Sequence, residues 1–324
     1  MTHTDSEFDV VVIGGGAAGL AGALSLGRSR RSVLVVDAGR QRNLPAEGIH
    51  AFLTRDGTPP ADFLAAARAE ARSYGAALRT GEAVSARRDG DRFVVTLADG
   101  AVVTGRRLLV TTGLADVLPD VPGVAERWGR DVVHCPYCHG YEVRDRALGV
   151  LSTGPMTAHQ ALLFRQLSDD VVVFAHTGPP PTPLDRARLD ARGVRVVAGA
   201  VTGLEVAGDA ITGVRLAGGR VVARDVLVVA TRVVAGGDLL AGLGVRTAPH
   251  PMAAELGEYV PALDPTGRTD VPGVWVAGNV ADLAAQVIAA AAQGNAAGAA
   301  INADLVLADA DAAADAPVSS VARP

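Results

Sequence analysis

The first forty residues contain the feature that most constrains the fold. An apolar run from Asp9 to Ile13 leads directly into Gly14-Gly15-Gly16-Ala17-Ala18-Gly19, and a second apolar run ends in Asp37. Short β-branched runs of this kind are typical of buried parallel strands, so the segment predicts strand, helix and strand. The three spaced glycines permit a tight turn, close approach of a diphosphate and helix–strand packing. The segment predicts a dinucleotide-binding unit, with the ribose on Asp37. A glycine-rich turn without a ligand is the alternative.

Further along this unit, Thr111-Thr112-Gly113 follows another buried apolar run. Ligands of open α/β sheets bind at the carboxyl ends of the strands, so these residues are candidate binding residues. The polar segment from Arg40 to Pro60 is too long for a simple connection and predicts a functional loop. Asp89-Gly90 and Asp99-Gly100 indicate hairpin turns between short strands.

A second βαβ pattern begins with the strand from Ala147 to Thr153. Its turn, Thr153 to Ala158, contains one glycine and also Pro155, which lacks an amide donor. The next strand ends in His176-Thr177-Gly178, which provides neither an acid for a ribose nor an arginine pair for a 2′-phosphate. The second unit therefore has the pattern of a dinucleotide domain without its fingerprint.

Two segments, 116–123 and 245–251, are predicted to be the crossovers between the units. After the second crossover come a last strand at 274–277 and an alanine-rich helix at about 284–307. The predicted fold class is α/β, with two Rossmann-like, doubly wound, three-layer domains, the second inserted into the first. The first domain comprises residues 1–116 and 247–308, and the insertion comprises 117–246. The alanine- and proline-containing tail, 309–324, is expected to be disordered.

The two cysteines of the chain form the motif Cys135-Pro136-Tyr137-Cys138. A C-x-x-C pair can close a disulfide and commonly has a lowered thiol pKa, which favours a redox role. Half a zinc site is one alternative, but no second ligand pair stands at its own short spacing. A structural clip is another, although so small a loop would add little stability. His139 follows the motif directly and His134 precedes it.

Composition excludes several functional classes. The net charge of −5 gives no electrostatic support for nucleic-acid binding. The polar segment from Met1 to Phe8 lacks an apolar signal core, and no long uncharged apolar run predicts a membrane span. We therefore expect a cytoplasmic protein. Aromatic residues make up only 4% of the chain, so alanine, valine and leucine must form its cores.

Taken together, these motifs resemble the low-molecular-weight thioredoxin reductase family across about residues 8–308. The resemblance rests on the G-x-G-x-x-G motif, Thr111-Thr112-Gly113, the C-x-x-C in an insertion, and Ala277-Gly278-Asn279 with Gln286. Within the family, Cys135 to Glu142 is most similar to the dithiol oxidases of gliotoxin and holomycin biosynthesis. Thioredoxin reductases usually carry Asp where this chain has His139.

The resemblance implies an FAD domain made of the first and last segments and an NADPH-type insertion. It implies that Cys138 lies against the flavin and that the chain forms a homodimer. It also implies that FAD binds the glycine motif and a set of residues at the surrounding strand ends and loops: Asp37, Ala38, Arg42, Asn43, His50, Val84, Thr112, Gly113, Gly278, Asn279, Gln286 and Val287.

The implied activity is oxidation of a small dithiol to an intramolecular disulfide, with molecular oxygen as the electron acceptor and hydrogen peroxide as product. Cys135 and Cys138 would exchange with the substrate, and His139 is the favoured base because imidazole suits thiol deprotonation near neutral pH. His134 is expected to be structural. An NAD(P)H-dependent disulfide reductase is the main alternative, and a flavoprotein redox sensor is a third possibility.

Overall fold

The computed structural model of the chain describes residues 6–252 and 254–315, which are organised around one mixed and one parallel β-sheet. In chain order the strands are β1 Ser6–Ile13, β2 Val33–Asp37, β3 Ala77–Thr80, β4 Ala83–Asp89, β5 Arg92–Leu97, β6 Val102–Val110, β7 Leu114–Val117, β8 Val132–Val133, β9 Leu148–Leu151, β10 Val171–Phe174, β11 Arg195–Val197, β12 Val201–Ala207, β13 Ala210–Leu216, β14 Val221–Val222, β15 Val226–Val229, β16 Arg232–Ala235, β17 Ala248–Pro249, β18 Glu258–Tyr259 and β19 Val274–Val276. The α-helices are α1 Ala17–Arg28, α2 Pro60–Ser73, α3 Val124–Arg127, α4 Pro136–His139, α5 Thr157–Phe164, α6 Pro183–Ala191, α7 Gly237–Leu243 and α8 Val287–Asp315.

The first sheet has the order β3-β2-β1-β6-β5-β4, and β19 pairs with the second half of β6. Five of its strands are parallel, and the β4–β5 hairpin joins antiparallel at the two predicted turns. Because successive side chains in a strand point to opposite faces, Val10 and Val12 pack with α1, α2 and α8. Val11 and Ile13 pack on the other face with α7 and the hairpin.

The second sheet has the order β11-β10-β9-β15-β8, and all of its pairs are parallel. One face packs against α5 and α6, and the other packs against the antiparallel meander β12–β13–β14. Both units therefore have three layers, and the predicted α/β class with two Rossmann-like domains is confirmed.

The antiparallel pair of β7 and β16 connects the two units, and we call this pair the hinge. The chain leaves the first unit through β7 and returns through β16, because Ala235, Leu240 and Val245 already belong to the first unit's core. The prediction of a second crossover at 245–251 is therefore wrong, and the return lies before the expected boundary at 246. Turn residues at 248–251 suggested a linker, but they form a small hairpin, β17–β18.

The long helix α8 packs along α1 at very close range. A methyl group built on Gly294 would lie 1.9 Å from the carbonyl oxygen of Ala18, and one on Gly298 would lie 2.8 Å from that of Gly22. The helix begins at Val287 and continues to Asp315, so the expected disorder from 309 is wrong for residues 309–315. Ion pairs of Asp309 with Arg31 and Arg106 hold this last part. The rest of the expected tail lies outside the described residues.

Candidate active site

A cavity of about 660 Å³ opens at the carboxyl ends of the first sheet. The turns after β1, β2, β6 and β19 all contribute to its wall. Every residue that the sequence assigned to the cofactor lines this cavity except Gly19. Gly19 packs α1 against the turn instead, because a methyl group there would lie 1.9 Å from the carbonyl oxygen of Gly14.

The glycine turn leaves backbone donors facing this cavity. Gly14 has a φ of +112°, and a side chain there would meet the carbonyl of Thr111, so only glycine fits. Gly16 precedes α1 without a side-chain cap, so the amides of the first helical turn keep no capping partner. A side chain on Gly16 would meet only Gln41, at 3.9 Å, and would extend into open space. A diphosphate therefore fits this turn, at the positive end of the helix.

The Asp37 carboxylate is held at the end of β2, with the residue only 9% exposed. Its Oδ1 accepts hydrogen bonds from the amide of Gly39 and from Gln41 Nε2, at 2.9 and 2.7 Å. Its Oδ2 lies 2.9 Å from Arg68 Nη2. Gln41 and Arg68 thus orient the predicted ribose acceptor. The sequence did not predict either residue, because Arg68 reaches Asp37 from α2 only in the folded chain.

The last lining segment precedes α8. Asn279 Nδ2 donates to the carbonyl oxygens of Asp282 and Ala285, at 3.1 and 3.0 Å, and thereby fixes the loop before the helix. Gln286 and Val287 line the cavity where α8 begins. The positive end of this helix therefore faces the cavity, and it favours negative charge there.

The cysteine pair stands on α4 at the same cavity. Cys135 precedes the helix in an extended conformation, and its Sγ lies 2.7 Å from Cys138 Sγ. Cys138 and His139 line the cavity, whereas Cys135 does not. Of the two sulfurs, Cys138 is therefore the inner one, at the cavity wall, and Cys135 is the outer one.

The two thiols have opposite acidities. The hydrogen bond from Cys138, together with the amides of Tyr137 and Cys138, lowers the pKa of Cys135 to about 7. The same hydrogen bond and burial raise the pKa of Cys138. In the reduced pair, Cys135 is therefore the thiolate near neutral pH and Cys138 carries the proton.

Two histidines flank the pair, and burial lowers the pKa of both. His134 Nδ1 lies 2.9 Å from the carbonyl oxygen of Val229, so a neutral ring donates there and keeps Nε2 as an acceptor. Gln160 Nε2 donates to the His134 carbonyl at 2.9 Å. Both ring nitrogens of His139 are buried and have no hydrogen-bond partner among the described residues. His139 is therefore a neutral imidazole with its acceptor and donor unused.

Two of the predicted cofactor residues also make contacts beyond the cavity, Arg42 with the hinge and His50 with the inserted unit. The Arg42 guanidinium makes a bidentate ion pair with Asp116 on β7, with Nη2 2.6 Å from Oδ1. His50 lies 3.5 Å from Glu142 and from Asp56. The cavity wall also includes Gly236, Gly237 and Asp238 at the start of α7. These three residues were not predicted to line it, because they fall within the predicted insertion, 117–246.

The turn after β9 is built differently from the turn after β1. Gly154 is its single glycine, and Pro155 follows it. At the end of β10, His176 Nδ1 accepts a hydrogen bond from the amide of Val201 at 3.1 Å. Gly178 is pressed against Ser152, since a methyl group there would lie 2.0 Å from Ser152 Oγ. His176 and Gly178, which follow β10, are thus engaged in local contacts of the second unit.

Two further findings concern metal binding and membrane insertion. No group of three or more His, Cys, Asp or Glu side chains among residues 6–252 and 254–315 is arranged to hold a metal ion. Within the same residues, every helix is too short or too polar to cross a membrane.

Comparisons with known proteins agree with this architecture. The HlmI structure is 46% identical and superimposes with a TM-score of 0.89 over 97% of both chains. An oxidoreductase from Agrobacterium tumefaciens is 36% identical, with a TM-score of 0.86 over 93% of this chain and 99% of that one. Among curated sequences, thioredoxin reductase sirT of Leptosphaeria maculans is 33% identical over an alignment of 321 positions, gaps included, that covers 93% of this chain and 95% of sirT.

A second curated relative, thioredoxin reductase tcpT of Claviceps purpurea, is 37% identical over 182 residues. The match covers 53% of this chain and 57% of tcpT, so the chain spans little more than half of that relative. The family described as pyridine nucleotide-disulphide oxidoreductase matches residues 8–294. The chain therefore belongs to the pyridine nucleotide-disulphide oxidoreductase family, and its relatives are of the thioredoxin reductase type.

Proposed function

We propose that the chain is an FAD-dependent oxidase that converts a small dithiol into an intramolecular disulfide and uses molecular oxygen as the acceptor. One observation carries this proposal: Cys138 and His139 line the same cavity as the glycine turn of the first unit. Members of the family are enzymes that act on disulfides and typically carry FAD. The oxidase direction, the oxygen acceptor and the substrate are the parts that we propose.

The residues of the cavity fit an FAD molecule. The uncapped turn of α1 would hold the diphosphate, Asp37 would accept from the ribose, and the start of α8 would face the flavin. When bound there, FAD would supply a two-electron acceptor for the reduced cysteine pair and would pass those electrons to oxygen, giving hydrogen peroxide.

The protein's own chemistry is thiol–disulfide exchange. A substrate thiolate attacks Cys135 Sγ of the oxidised pair, the Cys135–Cys138 bond breaks, and the bonding electron pair leaves on Cys138. The second substrate thiolate then attacks the substrate sulfur of the mixed disulfide and releases Cys135 as a thiolate. The substrate loses two protons and two electrons, and the cysteine pair gains the two electrons. A pKa of about 7 makes Cys135 a good leaving group in the second step.

The substrate protons need an acceptor near the pair. We propose His139 as this base, because its ring is neutral and both of its nitrogens lack partners in the described structure. His134 is the second candidate, with Nε2 available while Nδ1 is held by Val229.

Cys135 is the outer sulfur, so a small dithiol is the proposed partner that reaches it. The molecule is proposed to act as a homodimer.

The second candidate function is an NAD(P)H-dependent disulfide reductase. It is favoured by the name of the relative sirT, a thioredoxin reductase, and by the complete parallel sheet of the inserted unit. The divergent turn at Thr153 to Ala158 and the local hydrogen bond of His176 favour the oxidase.

The direct test is anaerobic mixing of the purified protein with dithiothreitol as the probe dithiol, followed by flavin absorbance. We expect the flavin to bleach, and admission of air to restore the colour with about one peroxide per disulfide formed. Cys135→Ser should abolish this bleaching while the protein keeps FAD. Absence of peroxide, or equal bleaching by the variant, would contradict the oxidase proposal.

A further inference from the structure

A loop of the first unit reaches across to the inserted unit. We call residues 38–58, between β2 and α2, the bridging loop. Pro45 lies against Gly129, where a methyl group would be 2.8 Å from Pro45 Cβ. His50 lies 3.5 Å from Glu142, just beyond α4. Arg42 pairs with Asp116 in the hinge. The loop that borders the cavity thus contacts the unit that carries the cysteines at two places and the hinge at a third.

The contact of Arg42 is the strongest of the three. Its guanidinium engages both carboxylate oxygens of Asp116, whose side chain is only 8% exposed. Thr231 Oγ1, just before β16, donates to the same carboxylate at 2.6 Å. Asp116 stands opposite Val233 in the β7–β16 pair. One carboxylate therefore joins both hinge strands to the bridging loop, and a bidentate pair fixes their relative orientation.

The ion pair of Arg42 and Asp116 lies close to the cysteine pair. Arg42 lines the cavity together with Cys138 and His139. Its positive charge is close enough to act on both thiols: it adds to the lowering of the Cys135 pKa and slightly opposes the raised pKa of Cys138. Asp116 already occupies two of the guanidinium nitrogens, so Arg42 is committed to the hinge and is a poor choice as a phosphate ligand.

We propose that Arg42 is a positioning residue: through Asp116 it holds the hinge in the orientation that keeps Cys138 docked on the cofactor cavity. The inference rests on the proposed function in one respect, namely that the cavity holds the redox cofactor. Loss of the ion pair frees the hinge, and the inserted unit then samples orientations in which Cys138 leaves the cavity and meets solvent.

The test measures protection of Cys138 and involves no substrate. In the Cys135→Ser background, Cys138 is the single thiol of the chain, and its rate of alkylation by iodoacetamide in the FAD-loaded protein is followed by mass spectrometry. We expect Arg42→Met to raise this rate by about tenfold or more, because an open orientation becomes populated. Arg42→Lys keeps the charge but loses the bidentate geometry, so an intermediate rate is expected.

Asp116 provides the decisive control, because it does not line the cavity while Arg42 does. Asp116→Asn should raise the rate as Arg42→Met does, with the FAD content unchanged. The Arg42→Met/Asp116→Asn double variant leaves no unpaired buried charge. It therefore provides the test of the proposal where a single variant fails to fold. The double variant should show no further increase, since both changes break one pair. Arg87→Met, which removes an exposed pair with Asp89, is the matched control and should leave the rate unchanged.

Rates within about twofold of the parent in Asp116→Asn and in the double variant would overturn the proposal. The proposal would also be overturned if faster alkylation appears only in Arg42→Met and accompanies loss of FAD. Because no dithiol is oxidised in this measurement, a failure of the oxidase activity leaves its result intact. The two proposals therefore fail separately.

Discussion

At the scale of single residues, the acidity of Cys135 decides when the reduced pair is reactive. A thiolate is the alkylated form, so the alkylation rate of Cys135 should rise with pH and reach half its maximum near pH 7. Cys138→Ala removes the hydrogen bond that contributes most to this low pKa. The midpoint should then move up towards the ordinary cysteine value of about 8.5.

The measurement is the rate of iodoacetamide incorporation at Cys135, resolved by mass spectrometry, in the reduced protein and in Cys138→Ala. Cys138→Ser is the matched variant, because its hydroxyl can still donate to Cys135 and should keep much of the shift. A midpoint in the parent at the ordinary value, or no upward shift in Cys138→Ala, would contradict the assignment of the Cys135 pKa.

His139 is the second residue whose role can be measured. If it takes the substrate proton, His139→Ala should slow dithiol oxidation by about a hundredfold or more. The readout is the rate of peroxide formation at saturating dithiol. His159→Ala, on the exposed face of α5, is the control and should leave the rate unchanged. A rate of His139→Ala within about threefold of the parent would assign His139 to structure and leave His134 as the base.

Local patterns account for what could be predicted at this scale. The residues from Gly14 to Asp37 act within one βαβ unit, so their spacing alone carries the information. Arg68 was not predicted, because it contacts Asp37 through the packing of α2 on β2 and β3. Arg42 was predicted as a cofactor residue, and the fold adds its pairing with Asp116, which lies 74 positions away in the sequence. No local pattern signals such a contact.

At the scale of secondary-structure elements, the close packing of α8 on α1 depends on glycine. Gly294→Ala would place a methyl group 1.9 Å from the carbonyl oxygen of Ala18, where the backbone must move. Overpacking of this kind costs about 1–3 kcal/mol, which outweighs the gain of up to about 1 kcal/mol from replacing glycine in a helix. Gly294→Ala should therefore lower the free energy of unfolding.

Denaturant unfolding measures this effect, with Asn295→Ala as the control at the exposed neighbouring position. Asn295→Ala should be neutral or slightly stabilising, because alanine is the better helix former. If the free energy of unfolding of Gly294→Ala equals or exceeds that of the parent, α1 and α8 separate at little cost, which contradicts their close packing.

The errors at this scale have physical reasons. Helix α8 continues to Asp315 because ion pairs hold its polar end to Arg31, Arg106 and Arg107, and composition alone suggested a disordered tail. The return through β16 was not predicted, because the turn residues at 248–251 suggested the linker and set the boundary at 246. The pairing of β16 with β7 is non-local. It brings the two residues that follow β16, Gly236 and Gly237, to the cavity wall.

At the scale of the whole molecule, the two units share a fold but differ in their turns. The first unit has uncapped amides in the turn after β1 and a buried acid at the end of β2, whereas the turn after β9 contains Pro155 and follows no glycine pattern. A dinucleotide needs backbone amides that converge on its diphosphate, and a 2′-phosphate needs cationic partners. His176 at the end of β10 is neutral, because burial lowers its pKa, and it is bonded to Val201.

The last prediction follows from this difference. Anaerobic addition of NADPH or NADH should leave the flavin absorbance unchanged over the time in which dithiothreitol bleaches it completely. The physical reason is that the turn after β9 contains a single glycine and Pro155, and a proline has no amide to donate to a diphosphate. Calorimetric titration with NADP⁺ provides the independent readout and should show no binding at millimolar concentration, a free energy weaker than about −4 kcal/mol.

Dithiothreitol is the positive control, because in the proposed mechanism it would reduce the flavin through Cys135 and Cys138 and would not need the turn after β9. A Cys135→Ser variant that remains unbleached by both reagents would confirm that the dithiol route requires the pair. Rapid stoichiometric bleaching by NADPH, with binding of NADP⁺ in the calorimeter, would overturn the oxidase proposal. The chain would then be a nicotinamide-dependent disulfide reductase that binds its cofactor through residues other than those of the turn after β9.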